Sequence, residues 1–352
     1  MVVFSMLGAL DRIFGNRFGL GKEFERGFML LGTLALSMIG MIVISPWIAQ
    51  LLQPVSAFMA QVLHMDPSIL PASLFANDMG GAALASAVAA EASVGRFNAL
   101  VVSSMMGCTV SFTIPYALSA VAKQQHRQLL LGLLYGIAVI PVGCLVGGLV
   151  LGLPFSALLW NMLPLVLFSA LIVVGLMLRP EVCVKLFGLF GALIKIIITV
   201  GLALAILRFL TGIELIEGLA TLEEGAAICL NAAAVMTGAF PLLYVLSLLL
   251  AKPLRFFGQK TGLNESAVMG LLATLANSVT AFESMKDMNA KGVMLNAAFA
   301  VGAAFTFADH LAFTMAFDAS CIAGMIAGKL TAGVLALLLA NAMYRRHFPS
   351  ET

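Results

Sequence analysis

The chain has 352 residues, of which 61% are hydrophobic and 10% charged, with a formal net charge of +2 and a mean hydropathy of +1.06. A soluble domain carries about a quarter charged residues, so a soluble globular enzyme is excluded. The few charges sit between apolar runs rather than in one basic patch, so nucleic acid is excluded as a partner. Repeated apolar runs of around twenty residues mean transmembrane helices in a lipid bilayer.

The first run, Met1 to Leu10, is too short to cross a bilayer unaided. It has no basic leader region or small-residue cleavage site and does not read as a signal peptide. Spans are expected at 27–52, 97–122, 128–153, 155–178, 184–210, 225–251, 293–317 and 321–343. Two further apolar segments, 67–92 and 264–285, have polar centres. The five cysteines (108, 144, 183, 229 and 321) lie in or beside apolar runs without a C-x-x-C pair, and read as packing residues. No P-loop, H-E-x-x-H, G-x-S-x-G or Cys/His metal spacing occurs, so neither a metal site nor a cofactor is expected, and the chain does not read as an enzyme.

Loop charges give a topology. Lys and Arg collect in 11–26, 123–127, 179–185, 252–260 and the tail, and are absent from 53–66, 152–155, 211–224 and 318–320. Lys and Arg favour the cytoplasmic side. Two segments separate the outside link 53–66 from the inside loop 123–127, so one of them does not cross, and 67–92 is the natural choice. The same parity makes 264–285 re-entrant from the inside. A weak internal repeat agrees: ASLFAND (72–78) matches ATLANSV (273–279), and GCTVSFTIP (107–115) matches GAAFTFADH (302–310). The expected fold is an all-α polytopic membrane protein of two inverted-topology repeats. The first, 1–153, contains re-entrant segment 67–92; a linking helix, 154–180, joins it to the second, 181–343, with re-entrant segment 264–285. A short cytoplasmic tail, 344–352, closes the chain. Broken helices meeting at midplane between inverted repeats are typical of secondary transporters.

The polar centres hold the candidate site. Asn77 and Asp78 precede two glycines, poor helix formers that free carbonyls beside the acid. A carboxylate at that depth is costly and marks a small-cation site; a surface loop between two short helices is the competing account. In FTFADHLAF, spacing on one helix puts Phe305, Asp309 and Phe313 on a common face. A carboxylate between two rings suits an organic ammonium ion, although an Asp–His pair joining helices would look the same. His310, in line with Thr306 and Thr314, supports or protonates that site. Asn277, Ser278 and Thr280 offer neutral partners to a hydroxyl, with back-bonding to the helix as the alternative for Thr280. Asn161 reads equally as a helix–helix hydrogen bond or a ligand contact. Lys329 lies deep enough to pair with an acid.

These residues resemble the ethanolamine permease family of bacterial ethanolamine-utilisation operons. The resemblance spans nearly the whole chain, through LDRIFG, FERGF, ANDMGG, SMMG, TIPYAL, IPVGCLVGG, WNMLP, ATLANS and ADHLAF in order. It implies a multi-pass inner-membrane carrier for ethanolamine or a similar small amine, with the C-terminus cytoplasmic and a homo-oligomer left open. It also implies a cysteine where this chain has Asn77. A membrane receptor or scaffold that binds the amine without moving it is the alternative.

Overall fold

In a computed structural model the described residues are 1–348, apart from the side chains of 250–252, 254, 255, 257 and 259. Among them helix follows helix, with no strand. Helices α1 (Val2–Ile13) and α2 (Leu20–Met29) meet at a turn that Asp11 organises. Its carboxylate accepts the backbone N–H groups of Phe18 at 3.0 Å and Gly21 at 2.9 Å. Helix α3 (Leu31–Leu51) and short α4 (Gln53–Gln61) follow, then α5 (Ile69–Leu74) and α6 (Gly81–Val88) on either side of a break. Helix α7 (Ala92–Phe97) continues into π-helical turns over Asn98–Gly107 and Thr109–Thr113 and finishes as α8 (Ile114–Ala120). Then come α9 (His126–Val150), α10 (Phe155–Leu178), α11 (Pro180–Thr211) and α12 (Leu222–Thr261). The second half ends with α13 (Glu265–Ala276), α14 (Ser278–Glu283), α15 (Ala290–Ala303), α16 (Asp309–Asp318) and α17 (Ile322–His347).

Local chemistry sets many of these ends. Thr221, Asn264 and Asn289 each accept a backbone N–H of the helix they precede, from Glu224, Ala267 and Gly292, relieving donors that a helix start leaves unpaired. Seven stretches among the described residues are long and apolar enough to cross a membrane. Large apolar side chains such as Leu167, Leu171, Leu189 and Leu338 stand exposed on α10, α11 and α17. In water such faces would be patches for association; here they meet hydrocarbon.

Both polar-centred segments fold back on themselves. Asp66 accepts the backbone N–H groups of Ala90 at 3.1 Å and Glu91 at 2.9 Å, so 67–89 leaves and returns to one place. The second hairpin closes likewise: Asn264 donates to the Asp287 carbonyl and Asn289 to that of Gly262, each at 2.7 Å. The 29 residues from Ala92 to Ala120 form the axis of the molecule, wholly buried from Phe97 to Ser111. The first mouth lies at the axis's start. The second lies at its finish, where Gln125 donates to the Met285 carbonyl at 2.7 Å and Tyr116 to Glu283 at 2.9 Å. Helices α15 and α16 run antiparallel to the axis, from that end back to an ion pair between Asp318 and Arg96 at 3.7 Å.

Close packing holds α9 to α15 and α17. A methyl at Gly143 would meet the Gly328 carbonyl, and one at Gly147 that of Gly324. Small residues let backbones touch where lipid supplies no hydrophobic drive.

Three expectations need correcting. The span expected at 97–122 begins at Ala92 and takes Arg96 into the helix, where Asp318 pairs with it. The span expected at 293–317 is two helices, interrupted between Ala303 and Asp309. The last span, expected to end at 343, is helical through His347, and residues 349–352 of the tail lie outside the described residues.

Candidate functional site

Three helix breaks meet beside the buried axis. In the first, Phe75 and Ala76 are extended, Asn77–Met79 form one 3₁₀ turn, and Gly80 takes φ 95°, a left-handed conformation open chiefly to glycine. The axis serves the backbone groups this break frees. Ser103 donates its hydroxyl to the Phe75 carbonyl at 2.5 Å, and the Ala76 N–H donates to Ser111 Oγ at 3.1 Å. A methyl at Gly107 would collide with that same Phe75 carbonyl, so glycine is what admits the break. Non-helical backbone survives at membrane depth only when protein satisfies it in this way.

The second break is the single extended residue Asn277, whose Oδ1 accepts the Val279 N–H at 2.8 Å and so caps α14. The third runs from Ala304 to Ala308, with Phe305 at φ 62°. Its N–H groups answer the carbonyls that the end of α13 leaves free: Phe305 donates to Thr274 and Phe307 to Leu275, each at 3.0 Å. Ala76 of the first break packs with Cys108, Ala304 and Phe305.

Polar side chains gather at this crossing. His310 Nε2 stands 3.9 Å from Asp78 Oδ1, both largely buried. Asp309 is the first residue of α16, where the helix dipole favours a carboxylate. Its charge and that of Asp78 act on one another. Lys329, 1% exposed, donates to the Ser104 carbonyl on the π-helical axis at 2.7 Å, and its ammonium attracts Asp78. π-Helical turns are wider than α-helical ones and recur at functional sites. The Cys108 thiol lies within electrostatic reach of Lys329, Asp78 and Asp309.

Aromatic rings extend from the crossing toward the second hairpin's mouth. Phe305 lies 5.3 Å from His310 and edge-on to Phe112 at 5.6 Å; Phe112 stacks on Tyr116 at 5.4 Å. Tyr116 then reaches Glu283. On another side a cavity of about 290 Å³ joins Arg26, Phe240 and Tyr244 to Ala276 and Phe307 at two of the breaks.

Five buried atoms in these elements find no protein partner: both amide atoms of Asn77, Ser278 Oγ, His310 Nδ1 and Thr314 Oγ1. Buried polar groups are nearly always paired, so the orphans of Asn77, Ser278 and His310, beside helix breaks, are groups that a polar ligand would satisfy.

The structure brings Asn77, Asp78, Phe305, Asp309 and His310 together, with Asn277 and Ser278 reached through the α13 carbonyls. It separates others. Phe305 does not share a helical face with Asp309, because the helix does not exist until Asp309; Phe313 lies one turn on from Asp309 in α16 and stacks on Phe317 at 5.4 Å. For the same reason Thr306 is not in helical line with His310, and it donates back to the Ala303 carbonyl. Thr280 is exposed. Asn161 exchanges amide hydrogen bonds with Asn98 at 2.9 and 3.2 Å, beside the first hairpin's mouth. That is the helix–helix alternative. Ser103 is reached by no motif, and Ser111 and Phe112 lie in the repeat segment 107–115, which does not single them out; polar spacing inside an apolar span is the only signal for the two serines. Among the described residues no group of His, Cys, Asp or Glu is placed to hold a metal ion.

Sequence comparison matches residues 1–343 to the family described as "Ethanolamine utilisation protein, EutH". A "Probable ethanolamine permease EutH" of Listeria monocytogenes is 43% identical over 355 residues, covering 100% of this chain and 95% of that protein. One of the same description from Escherichia coli K12 is 37% identical over 390 residues, covering 100% of this chain and 96% of its own length. An uncharacterized protein of Bacillus subtilis, YxeR, is 37% identical over 343 residues, covering 97% and 93%. No solved structure matches.

Proposed function

The chain belongs to the EutH family of ethanolamine utilisation proteins, and on that premise we propose that it carries ethanolamine across the bacterial inner membrane. The observation that carries this reading is the meeting of three helix breaks around two buried carboxylates. The charge of Lys329 acts on Asp78 and that of Arg26 on Asp309; an ammonium group seated between the two acids would be drawn to both. The rings of Phe305 and Phe112 offer that cation further attraction. Asn77, Asn277 and Ser278 supply donors and acceptors for the substrate's hydroxyl, and His310 steadies Asp78. We assign no catalytic role to any of them.

Alternating access follows if the halves 1–153 and 181–343, linked by 154–180, act as inverted repeats. Two features support that division. The hairpin mouths lie at opposite ends of the axis, and α15–α16 runs antiparallel to it. Loop charge then puts the second mouth, with Lys260, Lys291 and the C-terminus, on the cytoplasmic side. The ring path from Phe305 to Glu283 would lead the ammonium toward that face.

Uptake of labelled ethanolamine into proteoliposomes is the test, with binding measured on the same preparation. Saturable uptake by the native chain, abolished in Asp78→Asn and Asp309→Asn while both still reach the membrane, is the expected result. Binding without uptake would instead make the protein a receptor.

A further inference from the structure

A cavity lies away from the helix breaks, at the second hairpin's mouth. It measures about 840 Å³ and is lined by residues of α12, the α12–α13 turn, the start of α15 and the end of α17. Three of its lining residues are cations, Lys260, Lys291 and Arg345, and none is a carboxylate. Asn289 and Asn341 add amide groups. Lys291 is held in place: its ammonium donates to the Thr261 carbonyl at 2.7 Å and stands 5.7 Å from the Tyr344 ring centre. Lys260 lies over Phe256 at 4.5 Å. Lys260 and Lys291 therefore each have a ring or a carbonyl beside them, and among the described residues no ion pair holds any of the three cations. Burial, and then the charge of Arg345, push the Lys291 pKa below its ordinary value, as expected for cations crowded together without an anion.

The surface next to this cavity is apolar. On α17, residues 334, 338, 341 and 345 follow helical spacing and share one face. Val334 and Leu338 are exposed, at 49% and 61%, and Asn341 and Arg345 continue the stripe into the cavity. A polar, cationic end running into an exposed apolar stripe matches the shape and chemistry of a lipid with an anionic head. Basic pockets between helices on the cytoplasmic side are suited to such headgroups.

We propose that this cavity binds the phosphate of an anionic phospholipid, whose acyl chains lie along Val334 and Leu338. Lys291 also helps tie the hairpin mouth through Thr261, so the lipid braces the second hairpin from the cytoplasmic side. This assignment stands apart from the substrate site and does not depend on what the protein transports.

The full chain would be placed in nanodiscs of phosphatidylcholine, with or without phosphatidylglycerol. Thermal unfolding would be followed, and retained lipid counted by native mass spectrometry. Phosphatidylglycerol should raise the unfolding temperature and remain bound. The triple variant Lys260→Gln/Lys291→Gln/Arg345→Gln should retain it about a hundredfold less well, at roughly 1 kcal/mol per cation. The double variant Lys260→Gln/Arg345→Gln keeps the Lys291–Thr261 bond and should still lose most of the gain, which separates lost lipid from a loosened hairpin. An equal gain in native and triple-variant protein, or no gain in the native chain, would overturn the proposal. Inorganic phosphate that reproduced the whole effect in phosphatidylcholine discs would also overturn it, by reassigning the site to a free anion.

Discussion

Replacing Lys329 by Met keeps the length of a side chain that is 1% exposed and removes its charge. Two groups lose a partner. The buried Ser104 carbonyl loses a donor at 2.7 Å, worth about 1–3 kcal/mol when nothing replaces it. Asp78 loses a cation that attracts it, but the two form no direct ion pair, so this adds less than breaking a contacting buried pair, which costs about 3–5 kcal/mol. These costs overlap, and relief from burying the lysine itself offsets part of them. The expected net loss is about 1–3 kcal/mol. The assay is a double-mutant cycle with Asp78→Asn, read from thermal unfolding of purified protein in detergent. If the coupling is real, the double variant is more stable than Lys329→Met alone, because the orphaned acid has gone with its partner. Ethanolamine should also stabilise Lys329→Met more than the native chain, since an ammonium ligand then supplies the missing charge. Independent sites add to within about 0.3–0.5 kcal/mol, so additive losses at the two positions would refute the reasoning.

Single cysteines introduced at Glu91 and at Lys286, probed with an impermeant thiol reagent in intact cells, should label from opposite sides of the membrane; labelling from one side would end the inverted-repeat reading. Asn161→Ala breaks the reciprocal bond with Asn98 and should cost about 0.6–2 kcal/mol without changing the apparent affinity for ethanolamine, whereas a large rise in KM would make Asn161 a ligand. Burial alone would push the Asp11 carboxyl pKa up, but the backbone N–H groups of Gly21, Phe18, Leu20 and Arg17 outweigh it and leave the pKa below its ordinary value. A carboxylate with a depressed folded pKa contributes stability above its unfolded value, lost as pH falls through the folded one. Acid should therefore weaken the α1–α2 turn, seen as faster hydrogen exchange at Phe18 and Gly21, and Asp11→Asn should remove that pH dependence.

Much of the architecture was readable because lipid imposes simple constraints. Length and apolarity located most of the spans, and counting charged loops for parity singled out both hairpins before any contact was known. Asp78 and Asp309 were visible because a carboxylate in an apolar run is costly. The interruption at 304–308 was not visible, since FTFADHLAF holds neither proline nor glycine. It persists because α13 offers two carbonyls to Phe305 and Phe307, a tertiary circumstance that local propensity does not encode. The widened turns of the axis escaped for a similar reason. Their purpose shows only when Ser103 and Ser111 are seen serving Phe75 and Ala76 from a distant part of the chain. Lys329 was noticed, but its place opposite Asp78 depends on the route of α17 past the axis.

The joined ends of each hairpin bear on how the chain enters the bilayer during synthesis. A segment that starts and finishes on one side asks for none of its flanking sequence to be translocated, so the spans alone can be threaded first. Asn77 and Asp78 are poor cargo for bare hydrocarbon, and so is the free backbone of Phe75 and Ala76, whose partners belong to the axis, which is made after them. The first hairpin therefore waits at the surface until Ser103, Ser111 and Gly107 have been laid down beside it. The second has the opposite schedule. Its host already stands in the membrane when α13 emerges, and only the stretch around Phe305 is still to come. Order of synthesis, on this view, leaves the crossing of the three helix breaks as the last part of the molecule to close.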